Sequence, residues 1–199
     1  QFDPQRGFTV TDHWLDPASK KPLLVVTGKF QFGVDDSARW IDCEYVLRAA
    51  DQEVLLGDTK EGTFAIRTHP DLRLVANPKQ GVKEVFGKAR NSAGDTGKPI
   101  WGKSAKWVDY AGKVNGQPVG IAMLDHPSNL RHPTTWHARE YGLVAANPFG
   151  YHYFKKQPKG AGDYRLKPGD SLTLRYRVVF YAGERSTDEV EAYFQEFAN

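Results

Sequence analysis

The chain has 199 residues, of which 40% are hydrophobic and 26% charged, and its formal net charge is +3. This composition is that of an ordinary folded domain and excludes a disordered or collagen-like chain. Acidic residues lie among the basic ones throughout, whereas a nucleic-acid-binding protein needs a concentrated basic face, so no nucleic-acid partner is expected. The apolar runs fall far short of the roughly 20 residues that a membrane helix needs, so no membrane span is expected.

The single cysteine, Cys43, excludes an intrachain disulfide and a zinc site built on several thiolates. Aromatic residues make up 13% of the chain, which also contains 19 glycines and 12 prolines. Aromatic side chains favour strands, while glycine and proline favour turns. We therefore expect an all-β, mainly antiparallel fold, specifically a single β-sandwich domain over residues 1–199.

Alternating apolar and polar side chains predict long strands over residues 23–32, 39–49 and 171–181. In the second of these strands Cys43 falls on the apolar face, so it is expected to be a core residue rather than a reactive thiol. In the third, the apolar face runs from Leu172 to Phe180. Shorter strands are predicted at residues 8–15, 53–56, 63–68, 105–110, 119–125 and 141–146.

Helix signals are concentrated at the end of the chain. Ser186 and Glu189 have the spacing of a capping box, and an apolar stripe at helical spacing follows them. This pattern predicts one C-terminal helix packed on the sheet. A short helix is also predicted at residues 82–88, and residues 87–102, rich in small polar residues and glycine, are predicted to form one long loop.

The densest polar cluster is residues 125–139, which contain three of the six histidines and follow an apolar run. Polar groups just beyond a buried strand lie at the rim of a sheet, where clefts form. If residues 135–139 are extended, His137 and Arg139 point to the same side. Two other interpretations remain open, namely a metal site, although the histidine spacing matches no common zinc pattern, and a loop scaffold. The candidate catalytic residues here are His126, His132 and His137, and the candidate binding residues are Asn129, Trp136 and Arg139.

A second cluster, residues 57–62, lies between two predicted strands and contains Lys60 and Glu61. A carboxylate at a sheet rim can act as a general acid or base in sugar chemistry, so Glu61 is a catalytic candidate and Lys60 a substrate anchor. The alternative is a solvated hairpin tip. Trp101 is a candidate stacking platform for a ring-shaped ligand. Its segment lacks the ending of a phosphate-binding loop, and no cofactor is expected beyond the metal alternative.

Short motifs are spread over nearly the whole chain, namely Gly57–Gly62, Ala65–Arg67, Trp101–Lys103, Trp107–Tyr110, Asp125–Asn129, His132–Thr134, Trp136–His137, Tyr141–Gly142 and Ala145–Gly150. Together they resemble a bacterial family of unknown function that carries the label "methane oxygenase PmoA". Methane oxidation is not expected, because the methane monooxygenase subunit of that name lies in the membrane and this chain has no expected membrane span.

The resemblance has several implications. Family members are longer, with an upstream histidine-rich segment, so the chain resembles their C-terminal two-thirds, and an N-terminal segment or another chain could complete a site. The resemblance also implies a periplasmic or extracellular location and a fold similar to the galactose-mutarotase-like sandwiches. It supplies no established catalytic residues.

Three functions follow as hypotheses. The first is a carbohydrate-active enzyme (a hydrolase, lyase or epimerase) that acts on a sugar or uronate through Glu61 and a histidine. The second is a non-catalytic carbohydrate-binding module, which needs an aromatic platform but no acid–base pair. The third is a structural sandwich whose polar clusters only organise loops.

Overall fold

The computed structural model describes residues 2–3, 7–85 and 87–199. In these ranges it has two α-helices, α1 (Tyr151–Phe154) and α2 (Thr187–Ala198), and short 3-10 turns at Pro70–Leu72, Pro78–Gln80 and Lys98–Ile100. The strands are β1 (Phe2–Asp3), β2 (Gly7–Leu15), β3 (Pro22–Val34), β4 (Ala38–Ala49), β5 (Val54–Leu56), β6 (Phe64–Arg67), β7 (Lys88–Asn91), β8 (Trp107–Val114), β9 (Gln117–Asp125), β10 (Thr135–Trp136), β11 (Leu143–Asn147), β12 (Tyr164–Leu166) and β13 (Ser171–Ala182).

The strands form one large sheet and two small ones. The large sheet has the order β1-β2-β3-β4-β13-β9-β8-β7, and the small sheets have the orders β10-β11-β6 and β12-β5. Every pairing between these strands is antiparallel. The prediction of a mainly antiparallel all-β fold is therefore confirmed.

The two faces of the large sheet bury different partners. One face packs against the small sheets, where Leu174 and Tyr176 of β13 share a core with Val144 and Ala146 of β11. The opposite face packs against α2. Burial of both faces explains why the central strand β13 carries apolar residues on both sides, as a strand enclosed by two layers requires.

The predicted apolar face of β13 is correct except at its last position. Leu172, Leu174, Tyr176 and Val178 are buried against the small sheets, but Phe180 is 42% exposed. The core that includes the small sheets extends along β13 only as far as Val178, so the next residue on that face meets solvent. At this end of β13 the buried side chains are those on the other face, where Val179 and Tyr181 pack against α2.

Cys43 lies in β4 and is 5% exposed, which confirms the prediction that it is a core residue. Burial of the thiol, reinforced by the nearby charge of Asp42, raises its pKa to about 12. Because the thiolate is the reactive form of cysteine, this environment makes Cys43 a poor nucleophile.

The C-terminal helix is confirmed, including its cap. The Ser186 hydroxyl accepts a hydrogen bond from the Glu189 backbone N–H, and the Glu189 carboxylate accepts one from the Ser186 N–H. Val190, Tyr193 and Phe194 form its buried stripe. No helix in the described ranges is long and apolar enough to cross a membrane.

Two predictions for the middle of the chain are wrong. The described residues of 82–88 contain no helix, and Val82 instead forms an isolated β-bridge with Asn77. Residues 87–102 are not one loop, because β7 lies within them and forms the edge of the large sheet. Its sequence Lys-Ala-Arg-Asn has no apolar alternation from which a strand could be predicted. Pairing with β8 places it in the sheet.

Candidate functional site

The polar segment 125–139 divides into two parts with different surroundings. Its first part is organised by Asp125, which is fully buried. The Asp125 carboxylate pairs with His132 Nδ1 at 2.7 Å and accepts hydrogen bonds from the Asn129 side chain at 2.8 Å and the Thr134 N–H at 3.0 Å. Asp125 therefore holds together the loop that follows β9.

His126 and His132 lie against α2. The His132 ring stacks on Phe194 with its centroid 6.0 Å away, and the His126 ring meets Phe197 edge-on at 5.0 Å. His126 Nδ1 accepts a hydrogen bond from the Ser128 N–H and lies 2.8 Å from the Ser128 hydroxyl. These contacts favour a role for this pair in attaching the loop to the helix.

Asn129 and Trp136 are also committed to internal contacts. Both polar atoms of the Asn129 side chain bond the backbone of Arg175, and its amide nitrogen also bonds Asp125. Trp136 is fully buried, and its indole N–H donates to the Ala105 carbonyl at 2.8 Å. Trp136 was expected to bind a ligand ring, but in this structure its ring is inside the core and cannot stack on one.

The second part of the segment continues β10 along β11, through backbone hydrogen bonds from His137 to Ala145 and from Arg139 to Leu143. The extended conformation expected for residues 135–139 is therefore present. It buries Trp136 and Ala138 in the core, while His137 points toward the turn 57–62 and Arg139 is exposed.

His137 joins the two sequence clusters. Its Nδ1 lies 2.9 Å from the carbonyl oxygen of Lys60, 77 residues away along the chain. The imidazole also meets the ring of Trp101, with centroids 6.3 Å apart, and that of Phe154 at 6.0 Å. Burial lowers the pKa of His137, although the Lys60 carbonyl and the Glu61 charge oppose this effect.

Lys60 and Glu61 form a charged rim above His137. Their charged groups are 3.6 Å apart, and their side chains are 48% and 69% exposed. The turn that carries them is held from below, because the Asn147 amide donates to the Thr59 carbonyl and the Asp58 carboxylate accepts backbone hydrogen bonds from His152 and Gly162. The rim is thus a braced turn rather than a free hairpin tip.

A cavity of about 260 Å³ adjoins this rim and is lined by Lys98, Trp101, Ala138, Arg139 and Glu140. Trp101 lines the cavity, and its ring also contacts His137, which is bonded to the Lys60 carbonyl of the rim. The cavity and the rim are therefore close to each other. The Trp101 Nε1–H is a buried donor with no partner among the described residues. A buried donor of this kind lowers stability unless something accepts from it.

The structure therefore brings together Glu61, Lys60, His137, Trp101 and Arg139, and places His126, His132 and Asn129 elsewhere. The charges acting on the pKa of His126 belong to Arg175, Asp125, His132 and Asp42, whereas those acting on the pKa of His137 belong to Glu61, Arg139 and Lys60. Across the described part of the chain, no three His, Cys, Asp or Glu side chains are grouped as metal ligands would be.

Two residues that the sequence analysis did not select support the site. The Arg131 guanidinium donates to the carbonyls of Pro148, Gly162 and Asp163 and lies 4.7 Å from the centre of the Tyr151 ring. Phe154 closes the aromatic group around His137. Because the partners of Arg131 are backbone carbonyls distant in sequence, no local pattern could have identified it.

We expect the free energy of unfolding to decrease as the pH falls below about 6.5, the ordinary histidine value. Burial lowers the pKa of both His126 and His137, so the unfolded chain binds more protons than the folded one in that range. Their contribution to stability is complete above the unfolded pKa and is lost as the pH falls toward the folded values.

Urea unfolding between pH 5 and 8 measures this dependence. His137→Gln should flatten the slope on the acidic side, and so should His126→Gln. Replacement of the exposed His13 is the matched control and should leave the slope as in the parent protein. An unchanged slope in both buried-site variants would contradict the assignment.

The fold and the site together define an antiparallel β-sheet protein with a braced, charged rim beside a small cavity. The chain belongs to a family of unknown function, DUF6807, whose model matches residues 2–195. No curated protein sequence matches the chain. A solved structure of a polysaccharide lyase, BACCELL_00875, is similar over 96% of this chain with 13% identity and a TM-score of 0.40. This chain corresponds to 27% of the length of that lyase chain.

Proposed function

We propose that the chain is a carbohydrate-active enzyme that acts on a sugar or uronate by general acid–base chemistry. Glu61 of the charged rim and the neighbouring His137 are the acid–base pair. The observation that carries the proposal is that His137 contacts the turn that bears Lys60 and Glu61 and also the ring of Trp101, which lines the cavity. The charges of Glu61, Lys60 and Arg139 all act on the His137 imidazole, although these residues come from separate parts of the chain. Acid–base catalysis on sugars uses pairs of such groups.

The protonation of His137 suits a base. A carbonyl oxygen only accepts, so the contact with Lys60 places the proton on Nδ1 and leaves the lone pair on Nε2. Burial favours the neutral ring. In the described ranges only Nδ1 of His137 forms a hydrogen bond with the protein, which leaves Nε2 for the substrate.

The other residues would hold the substrate. Trp101 offers a ring to a sugar, and Arg139 and Lys60 offer positive charge to a carboxylate or hydroxyl groups. In this proposal His132 and Asn129 position the loop through Asp125, and His126 does so through Ser128. None of the three touches the substrate. The periplasmic or extracellular location implied by the family resemblance belongs to the same proposal.

Screening against neutral and uronate-containing glycans tests the proposal. We expect Glu61→Gln to lower turnover by about 10²- to 10⁴-fold, the usual contribution of a general acid or base. Glu53→Gln is the matched control, because Glu53 is another exposed carboxylate paired with a cation, Arg165, and it should retain full activity. Full turnover in the Glu61→Gln variant would refute the mechanism.

A non-catalytic carbohydrate-binding module is the second candidate, favoured by the small exposure of His137, which is 4%. This alternative expects no turnover on any glycan, glycan binding that survives Glu61→Gln, and loss of binding in Trp101→Ala. Binding measurements on the same two variants therefore separate the two functions.

A further inference from the structure

A second groove, of about 720 Å³, lies on the α2-bearing face of the large sheet, at its β7 edge. Its volume is within the range of about 300–1,000 Å³ that small-ligand sites occupy. Its floor consists of small and apolar residues such as Ala111 and Val119. The charged residues that line it are Lys88, Arg90, Lys113 and Arg185, with Asp109 and Glu184 as the acidic members.

The strand register places the key side chains on one face. Lys88 of β7 lies opposite Ala111 of β8, and Arg90 lies opposite Asp109. Lys113 is two residues beyond Ala111, so it points to the same side as Lys88. Diagonal neighbours of this kind are about 7–8 Å apart between their Cα atoms. Two lysines therefore flank the groove on adjacent strands.

Arg90 and Asp109 are engaged by the fold. Asp109 is 1% exposed and accepts hydrogen bonds from the Tyr181 hydroxyl at 2.6 Å and from Arg90 Nε at 2.9 Å. The Arg90 guanidinium also donates to the carbonyls of Arg185 and Ser186 at the start of α2. These contacts join the β7 edge to the helix and give the groove a rigid wall.

Arg185 is also used internally, since its guanidinium donates to the carbonyls of Ser37 and Glu184. Lys88 and Lys113 differ from it, because both are exposed and neither forms an ion pair in the described part of the chain. Neighbouring like charges repel each other, and a bound anion removes that repulsion. Glu184 is the remaining acidic group at the groove.

We propose that this groove binds a small ligand that carries two anionic groups, a dicarboxylate or a bisphosphate, with one group held by Lys88 and the other by Lys113. The apolar floor accommodates the body of the ligand between the two charges. The exposed Glu184 carboxylate disfavours binding and limits the affinity. Lys88 and Lys113 project from the face of the large sheet opposite the small sheets, and the proposal does not depend on the function proposed for the Glu61 rim.

Calorimetric titration of the intact chain with glutarate and, separately, with fructose 1,6-bisphosphate tests the proposal, with acetate as a monoanionic control. We expect glutarate or the bisphosphate to bind more tightly than acetate, and its affinity to fall as salt is added. Which of them binds distinguishes a carboxylate ligand from a phosphate ligand. Amide shifts in an NMR titration should map to residues 88–90 and 111–113.

The double variant Lys88→Gln, Lys113→Gln should weaken binding at least tenfold, and Glu184→Gln should strengthen it. The matched control removes two exposed lysines elsewhere, Lys20→Gln and Lys29→Gln, and should bind as the parent protein does. Failure of both ligands to bind, or equal weakening in the control, overturns the proposal. Glu61→Gln and Trp101→Ala should leave this binding unchanged, so its failure and failure of the enzymatic function are distinguishable.

Discussion

Replacing Asp125 with alanine is expected to lower the free energy of unfolding by about 3–5 kcal/mol, a large effect for the loss of one polar side chain. The carboxylate is fully buried and serves His132, Asn129 and the Thr134 N–H. Its removal leaves buried groups without their partner, and each such group costs about 1–3 kcal/mol. Since whole domains are stable by only about 5–15 kcal/mol, this loss removes a large fraction of the total stability.

Chemical unfolding with urea measures this change, and Asp125→Asn refines it. Asparagine keeps the shape and one acceptor oxygen but turns an NH₂ toward the remaining donors, so we expect an intermediate loss. Asp36→Ala, in the exposed turn between β3 and β4, is the control and should change stability by no more than about 0.5 kcal/mol. A loss below about 1 kcal/mol in Asp125→Ala would show that the loop does not depend on this carboxylate.

Replacing Trp136 with alanine is expected to cost a similarly large amount, about 3–5 kcal/mol, because the substitution leaves a cavity in the main core. The ring has no exposed surface, and its N–H is bonded to Ala105. Trp136→Phe should cost less, since it keeps most of the apolar contact and loses mainly the hydrogen bond. Thermal unfolding of the two variants measures the difference.

Trp101→Ala is the matched comparison, because Trp101 is a half-buried ring at the cavity beside His137. We expect its loss to reduce stability less than the loss of Trp136 and to reduce glycan binding more. The reverse outcome, in which Trp136→Ala stays stable but stops binding glycans, would mean that Trp136 contacts ligand and that its buried position is not the functional one.

Sequence patterns were sufficient wherever burial is periodic. β3, β4 and β13 were predicted within a few residues, because each alternates apolar and polar side chains over a long run. The C-terminal helix was predicted to its cap, because the Ser186–Glu189 box is a local contact. By contrast β7 and β12 were missed, since strands of four and three residues are too short to show an alternating pattern.

The candidate site was predicted only in part, for the same reason. Glu61, Lys60 and His137 were selected as chemically able residues, and so were His126, His132 and Trp136. No local feature distinguishes the first group from the second. The difference depends on the backbone contact from His137 to Lys60, on the buried carboxylate that ties His132 to the loop, and on the core that encloses Trp136.

Composition, charge and periodicity by themselves determined that this protein is an antiparallel β-sheet domain with one C-terminal helix, because local propensity and the alternation of burial act between near neighbours in the chain. The tertiary structure alone decided which polar residues share a surface. In the folded chain His137 contacts turn 57–62, whereas His126 and His132 contact α2. A groove lined by two lysines lies at the β7 edge. These polar residues come together because strands that are distant in the sequence pair with each other. Local patterns in the 199-residue sequence do not show which distant strands will pair.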